Sequence, residues 1–94
     1  MTKEPTHVLE DQEQVEAIVK RLKRAQGQMG AVIRMLEEGR PCNDIIIQIS
    51  AVGKAVNTAA FKLIAANLKE CLLDTDQDSK AMTEQLQKMF LSLA

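Results

Sequence analysis

The stretch from Pro41 to Leu73, PCNDIIIQISAVGKAVNTAAFKLIAANLKECLL, constrains the fold more than any other part of the chain. After its opening proline it holds no further proline and a single glycine, Gly53. Apolar residues return at three- and four-residue steps, at Ile45, Ile46, Ile49, Val52, Val56, Ala59, Ala60, Leu63, Ile64, Leu68 and Leu72. That period predicts one helix of about nine turns. Ile47 and Phe61 fall off the stripe and widen it, so the helix carries more apolar surface than a single narrow face. A chain this short buries a modest core, and oligomerisation is a natural way to cover such a helix.

The only two cysteines, Cys42 and Cys71, sit at opposite ends of this helix. A rise of about 1.5 Å per residue places them roughly 40 Å apart. A disulfide needs Cα atoms within about 7 Å, so the two cannot meet along one straight helix. Two copies packed antiparallel bring the start of one helix beside the end of the other, which makes two intersubunit thiol pairs per dimer. Cys42 follows Pro41 and falls in the first turn, where unpaired N–H groups and the positive end of the macrodipole favour a thiolate. Arg40 adds positive charge close by in sequence. Cys71 lies in the last turns beside Lys69 and Glu70, where the dipole opposes ionisation. On this argument Cys42 is the nucleophile and Cys71 its resolving partner. For each cysteine alone, the role of a small buried hydrophobe stands equally open.

At 94 residues, 46% of them apolar and 2% aromatic, the chain reads as one all-α domain. Residues 1–10 form a polar, flexible arm with the single histidine, His7, as a solvated residue. Residues 11–94 form the helical domain. Its first helix starts at a cap made by Asp11 with Gln14. A stripe of Val15, Ile18, Val19, Leu22, Ala25, Met29, Val32, Ile33 and Leu36 follows, and Gly39-Arg40-Pro41 stops it. Gly27 and Gly30 each cost this helix up to about 1 kcal/mol relative to alanine, so close packing or close backbone approach is their expected role. After the long helix an acidic linker, Asp74 to Ser79, leads to a third helix capped by Asp78 or Ser79. Met82, Leu86, Met89, Phe90 and Leu93 form its stripe and pack on the other helices.

The formal net charge of −1 carries no global nucleic-acid signal, so any DNA affinity must come from a local patch. Lys20, Arg21 and Arg24 share one face of the first helix, and on charge alone a solvated face is the plainer reading. No run is expected to be long or apolar enough to cross a membrane, and the charged start does not resemble a signal peptide. A cytoplasmic protein with reduced thiols is the expectation, and there thiols serve more often as sensors or ligands than as staples. There is no CxxC, no Ser/His/Asp arrangement, no paired carboxylates and no Gly-rich phosphate loop. The chain reads as a non-enzyme without a cofactor.

The run LKRAQGQMGAVIRMLEEGRPCNDIIIQISAV, Leu22 to Val52, resembles the copper-sensing repressor (CsoR) family of bacterial regulators, and NLKEC at the end of the long helix continues the resemblance. The family implies a three-helix protomer, an antiparallel dimer and a dimer-of-dimers tetramer that binds operator DNA until an inducer releases it. Its copper sensors use a Cys, a His and a second Cys. Cys42 and Cys71 match the two cysteines, and Asn67 stands at the histidine's position. Copper(I) held by the two thiolates is therefore the alternative to a cysteine-only pattern that resembles the persulfide-sensing (CstR-like) branch. In that branch, thiols of different subunits react with reactive sulfur species and become joined by di-, tri- or tetrasulfide bridges. A formaldehyde-sensing branch uses an N-terminal proline, and Thr2 stands second here. The resemblance also implies DNA contacts by Lys20, Arg21 and Arg24 in the first helix and by Lys54 in the middle one. The partners it implies are operator DNA, reactive sulfur species and further copies of the chain in a homotetramer, with no membrane.

Overall fold

The computed structural model describes residues 6–73 and 77–93. Three helices follow one another: α1, Gln12–Glu37; α2, Cys42–Leu73; and α3, Gln77–Leu93. No strand occurs among the described residues. The all-α, three-helix protomer expected from the periodicity is thus what forms.

Local chemistry sets the boundaries of α1. The Asp11 carboxylate accepts the backbone N–H groups of Glu13 (3.1 Å) and Gln14 (3.3 Å), two of the donors that a helix start leaves unpaired. At the other end Gly39 adopts a φ of 69°, the left-handed region that a residue with a Cβ resists. Its N–H donates to the Leu36 carbonyl (3.2 Å) and that of Arg40 donates to the Met35 carbonyl (3.0 Å), the pairing of a Schellman stop. The chain reverses at once. Pro41 offers its carbonyl to the N–H groups of Asp44 (3.1 Å) and Ile45 (3.3 Å), which starts α2 with Cys42 as its first residue.

α1 runs back along α2. Val32 packs with Ile45 and Val52 near the turn, with Met35 at the edge. Farther up, Val19, Leu22 and Met29 line one groove with Val56. α3 packs on the far end of α2, where Met82 and Leu86 join Ile64 and Cys71. Among the described residues α3 touches α2 and not α1. The result is an elongated protomer, 54 Å in its longest dimension, with two small cores on one long helix.

These cores leave much apolar surface uncovered. Ile46, Ile49, Val56 and Leu63 of α2 are exposed, and so are Val19, Leu22, Met29, Ile33 and Leu36 of α1. Five positions expected in the α1 core stripe therefore face outward in the protomer, because α2 covers only the face that carries Ile18, Ala25 and Val32. By length and mean hydropathy (1.2 over its most apolar window) α2 would also pass for a membrane span. That corrects the expectation that no run is long or apolar enough. The cause is a run in which Lys54 is the only charge between Asp44 and Lys62. A core helix has the same property, and here α1 and α3 pack along it.

Three further expectations change. A Cβ placed on Gly27 would meet nothing within 4 Å, and one on Gly30 would meet only the Arg34 side chain at 3.7 Å, so neither glycine admits a close neighbour inside the protomer. α3 starts at Gln77, so Asp78 and Ser79 lie inside the helix rather than capping it. Ser79 is buried and its carbonyl accepts the Thr83 hydroxyl (2.9 Å). Positions 74–76 of the expected linker, and 1–5 of the expected arm, lie outside the described residues.

His7 is not a solvated residue. Its Nε2 lies 2.8 Å from Oε1 of Glu70, and both side chains are about one-fifth exposed. The same carboxylate accepts the backbone N–H of Glu10 (2.9 Å) and of Asp11 (3.0 Å). One side chain near the end of α2 thereby holds the start of α1. The Glu10 N–H bond, with His7 and Asp11 adding to it, keeps the Glu70 carboxyl below its ordinary value against a smaller opposing effect of burial. A lowered native value stabilises the fold above the ordinary carboxylate range, and that contribution is lost as pH falls through the lowered value. Urea midpoints of the native chain and of Glu70→Gln should therefore differ at neutral pH and converge as the pH falls below the ordinary glutamate range and through the lowered value of Glu70. A gap that persists unchanged in acid would show that the charge on Glu70 plays no part.

Candidate functional site

The two thiols occupy opposite environments at opposite ends of α2. Cys42 is its first residue and is exposed, as the proline before it and the polar Asn43-Asp44 after it require. Cys71 is 2% exposed and lies in the apolar cluster with Ile64, Met82 and Leu86. Neither takes part in a disulfide. Both descriptions weighed from sequence therefore hold in part: Cys42 is an accessible thiol at a helix start, and Cys71 is packed as a small hydrophobe. Arg40 lies 3.9 Å from the Glu38 carboxylate, and with both side chains exposed this is a weak surface pair.

Within the protomer the fold does not bring the thiols together, because about eight turns of unbroken helix separate them. The uncovered face supplies the geometry for a meeting between protomers. Ile46, Ile49, Val56 and Leu63 recur at helical steps along α2, between one thiol and the other. A second copy laid antiparallel on that face sets Cys42 of one chain toward the Cys71 end of the other.

Asn67 stands one turn before Cys71 and is 7% exposed. Its Nδ2 donates to the Leu63 carbonyl at 2.7 Å, so the amide is tied back to its own helix. A side-chain amide nitrogen used as a donor offers no lone pair to a metal. The thiolate donors available are the two cysteine sulfurs, and the Met82 thioether lies in the same cluster as Cys71. Two thiolates suit copper(I), the softest of the common biological metal ions, and Asn67 adds no third ligand. Among the described residues no cluster of three His, Cys, Asp or Glu side chains has metal-binding proximity within one chain.

Lys20, Arg21 and Arg24 are exposed on α1, and Lys54 is exposed on α2. Lys54 precedes Val56, which shares a groove with Val19, Leu22 and Met29, so all four cations lie along the middle of the α1–α2 hairpin. None of them makes an ion pair among the described residues. Exposed cations without an ion-pair partner among the described residues are suited to a polyanion.

Two features of the site were not visible in the sequence. The tie between His7 and Glu70 spans 63 positions, and no local pattern announces it. The cover that Met82 and Leu86 place over Cys71 depends on how α3 docks. A three-to-four-residue spacing of Met82 and Leu86 was the one available signal.

Comparison with known proteins agrees with this arrangement. Residues 14–92 match the family model of the metal-sensitive transcriptional repressors. The copper-sensing transcriptional repressor RicR of Mycobacterium tuberculosis is 38% identical over 60 residues, 64% of this chain and 62% of that protein. The copper-sensing transcriptional repressor CsoR of Bacillus subtilis is 40% identical over 57 residues, 61% of this chain and 56% of that protein. An uncharacterised protein of Serratia marcescens is 30% identical over 88 residues, 94% of this chain and 93% of its own length. The match thus spans less than two thirds of each named copper sensor, and no solved structure matches. With nearly the whole helical region matched, the chain belongs to the metal-sensitive transcriptional repressor family.

Proposed function

We propose that this chain is a cytoplasmic, DNA-binding transcriptional repressor that pairs antiparallel, doubles into a tetramer, and reads copper(I) through Cys42 of one protomer and Cys71 of the next. One observation carries the reading: two thiols stand at the two ends of a single helix whose intervening apolar face has no cover in the protomer. Covering that face with a second copy removes its exposed isoleucines and valines from water and creates the intersubunit thiol pair in the same step. The relatives named as copper sensors support copper as the inducer. Cys42 and the partner's Cys71 would hold copper(I), which would supply a soft Lewis-acidic centre for two thiolates. The chain's own part is to give up the two S–H protons to solvent.

A second reading, sensing of reactive sulfur, is favoured by Asn67, whose amide faces its own backbone where a histidine ligand would stand. In that chemistry the exposed Cys42 thiolate attacks a polysulfide, forms a persulfide and expels a polysulfide one sulfur shorter. The Cys71 thiolate of the partner then attacks the Cys42 sulfur, forms the disulfide and expels hydrosulfide.

Operator release separates the two readings. Copper(I) added under a competing chelator should form a tight complex and free the DNA, and Cys42→Ser should abolish both effects. Polysulfide should leave reduced protein without sulfur-bridged dimers in intact-mass spectra. Bridged dimers and DNA release with polysulfide, together with indifference to copper(I), would put reactive sulfur in copper's place.

Binding to DNA should depend on neutralisation of phosphates by Lys20, Arg21, Arg24 and Lys54. Each phosphate neutralised steepens the fall of log affinity with log salt by about 0.9. Arg21→Glu should flatten that slope and weaken operator binding, while tetramer mass and copper stoichiometry stay as in the native chain. The side chain is exposed on α1, which leaves helix packing undisturbed. A salt-independent interaction, or none, on the DNA upstream of the protein's own gene would remove the repressor reading.

A further inference from the structure

α3 is attached on one side only. Among the described residues it packs on α2 and makes no contact with α1. Its inner face places Met82 and Leu86 against Ile64 and Cys71, and farther along Phe90 meets Phe61 edge to face with ring centroids 5.1 Å apart. The thiol in this seam is 2% exposed, whereas Cys42 at the other end of the same helix is open to solvent. Protein cores are packed to the density of organic crystals, so a sulfur with neighbours on all sides has no room for a new substituent. Any bond formed by that sulfur replaces the S–H hydrogen with a larger group and must displace part of the seam. Of the elements that meet there, α3 is the shortest and the least tied down.

We propose that α3 is a latch closed over Cys71, so that docking of α3 and loading of this thiol exclude one another. The proposal rests on the reading of Cys71 as a sensor thiol and adds how that site is regulated. The protomer with α3 docked holds Cys71 unreactive. A ligand that captures the sulfur pushes α3 off α2, and the undocked helix is the structural change that accompanies loading. Linkage makes the effect reciprocal: whatever loosens α3 raises the affinity of Cys71 for its ligand by the same factor by which the ligand loosens α3.

Iodoacetamide tests this without copper, polysulfide or DNA, because it forms an S–C bond, expels iodide and releases the thiol proton to solvent. On reduced protein, peptide mass spectrometry should find Cys71 modified at least about tenfold more slowly than Cys42, since a covered group reacts only through local opening. Leu86→Ala removes packing against the thiol and should speed Cys71 by more than about tenfold while leaving the Cys42 rate unchanged. Phe90→Ala loosens α3 away from the thiol and should act in the same direction if Leu86→Ala loses its helical circular dichroism. In the otherwise native chain bearing Cys42→Ser, alkylation of Cys71 should strip hydrogen-exchange protection from α3 and spare α1. Equal rates at the two thiols in the native chain, or an α3 that stays protected after Cys71 is alkylated, would overturn the latch and leave the sensor reading standing. A slow, α3-dependent Cys71 whose replacement by serine leaves DNA release by inducer intact would overturn the sensor role and the latch's function with it.

Discussion

The packing of α1 against one flank of α2 sets the terms for everything else in this protein. α2 is apolar around more of its circumference than α1 and α3 can cover, and no large side chain in the protomer is completely removed from water. Burial of apolar surface is the main favourable term in folding. A protomer that leaves Ile46, Ile49 and Ile33 exposed has left much of that term unused. In the proposed assembly, the same deficit that weakens the single chain would drive association, so stability and assembly would be two aspects of one surface. The outward-facing half of the α1 stripe makes sense on these terms: Leu22, Met29 and Ile33 extend the face that α2 presents.

The fold was largely legible because each signal was local. The 3.6-residue period marked all three helices, Asp11 marked the first start, and Gly39 followed by Pro41 marked the turn. Such features act through neighbouring backbone groups, and sequence spacing states them directly. The candidate site was legible only in outline. Cys42 and Cys71 could be placed at the ends of one helix, but the burial of Cys71 depends on the docking of α3, and sequence gives no docking angle. The start of α3 departs from its sequence signal as well. Asp78 and Ser79 have the side chains of helix caps, yet both lie inside α3, where Ser79 is buried. The fastening of the α1 start by Glu70 had no sequence signal at all, since three of its partners lie about 60 positions away.

The ends of α2 are also where the chain concentrates its polar chemistry. At the far end, within two turns, Asn67 satisfies its own backbone, Glu70 gathers three donors from the approach to α1, and Cys71 turns into the α3 seam. Glu70 and Cys71 point to different neighbours because successive residues on a helix turn by about 100°, whereas Asn67, one turn before Cys71, is tied to its own backbone. Glu70 therefore faces the α1 start while Cys71, one position on, faces α3. A disturbance at the thiol has a short mechanical route to α3, and the adjoining carboxylate keeps α1 in place on the other side.

That division bears on how, in the proposed repressor, a small chemical event at a thiol would reach the basic side chains. Lys20, Arg21, Arg24 and Lys54 lie in the middle of the hairpin, which is held at the turn by the Val32–Ile45–Val52 cluster and at the open end by Glu70. If such a doubly fastened hairpin moves as a unit, it would present its charges to a phosphate backbone at fixed spacing only with its partners in the proposed assembly fixed as well. In the proposed assembly, a link between Cys42 of one subunit and Cys71 of the next would act on that relation between hairpins rather than on the interior of either. Phosphate contacts are weak singly and strong when repeated in register, so a modest change in the angle between subunits is enough to lose the sum. On the proposed reading no direct path from the thiols to the basic side chains is needed: a change in how the subunits sit against one another would suffice.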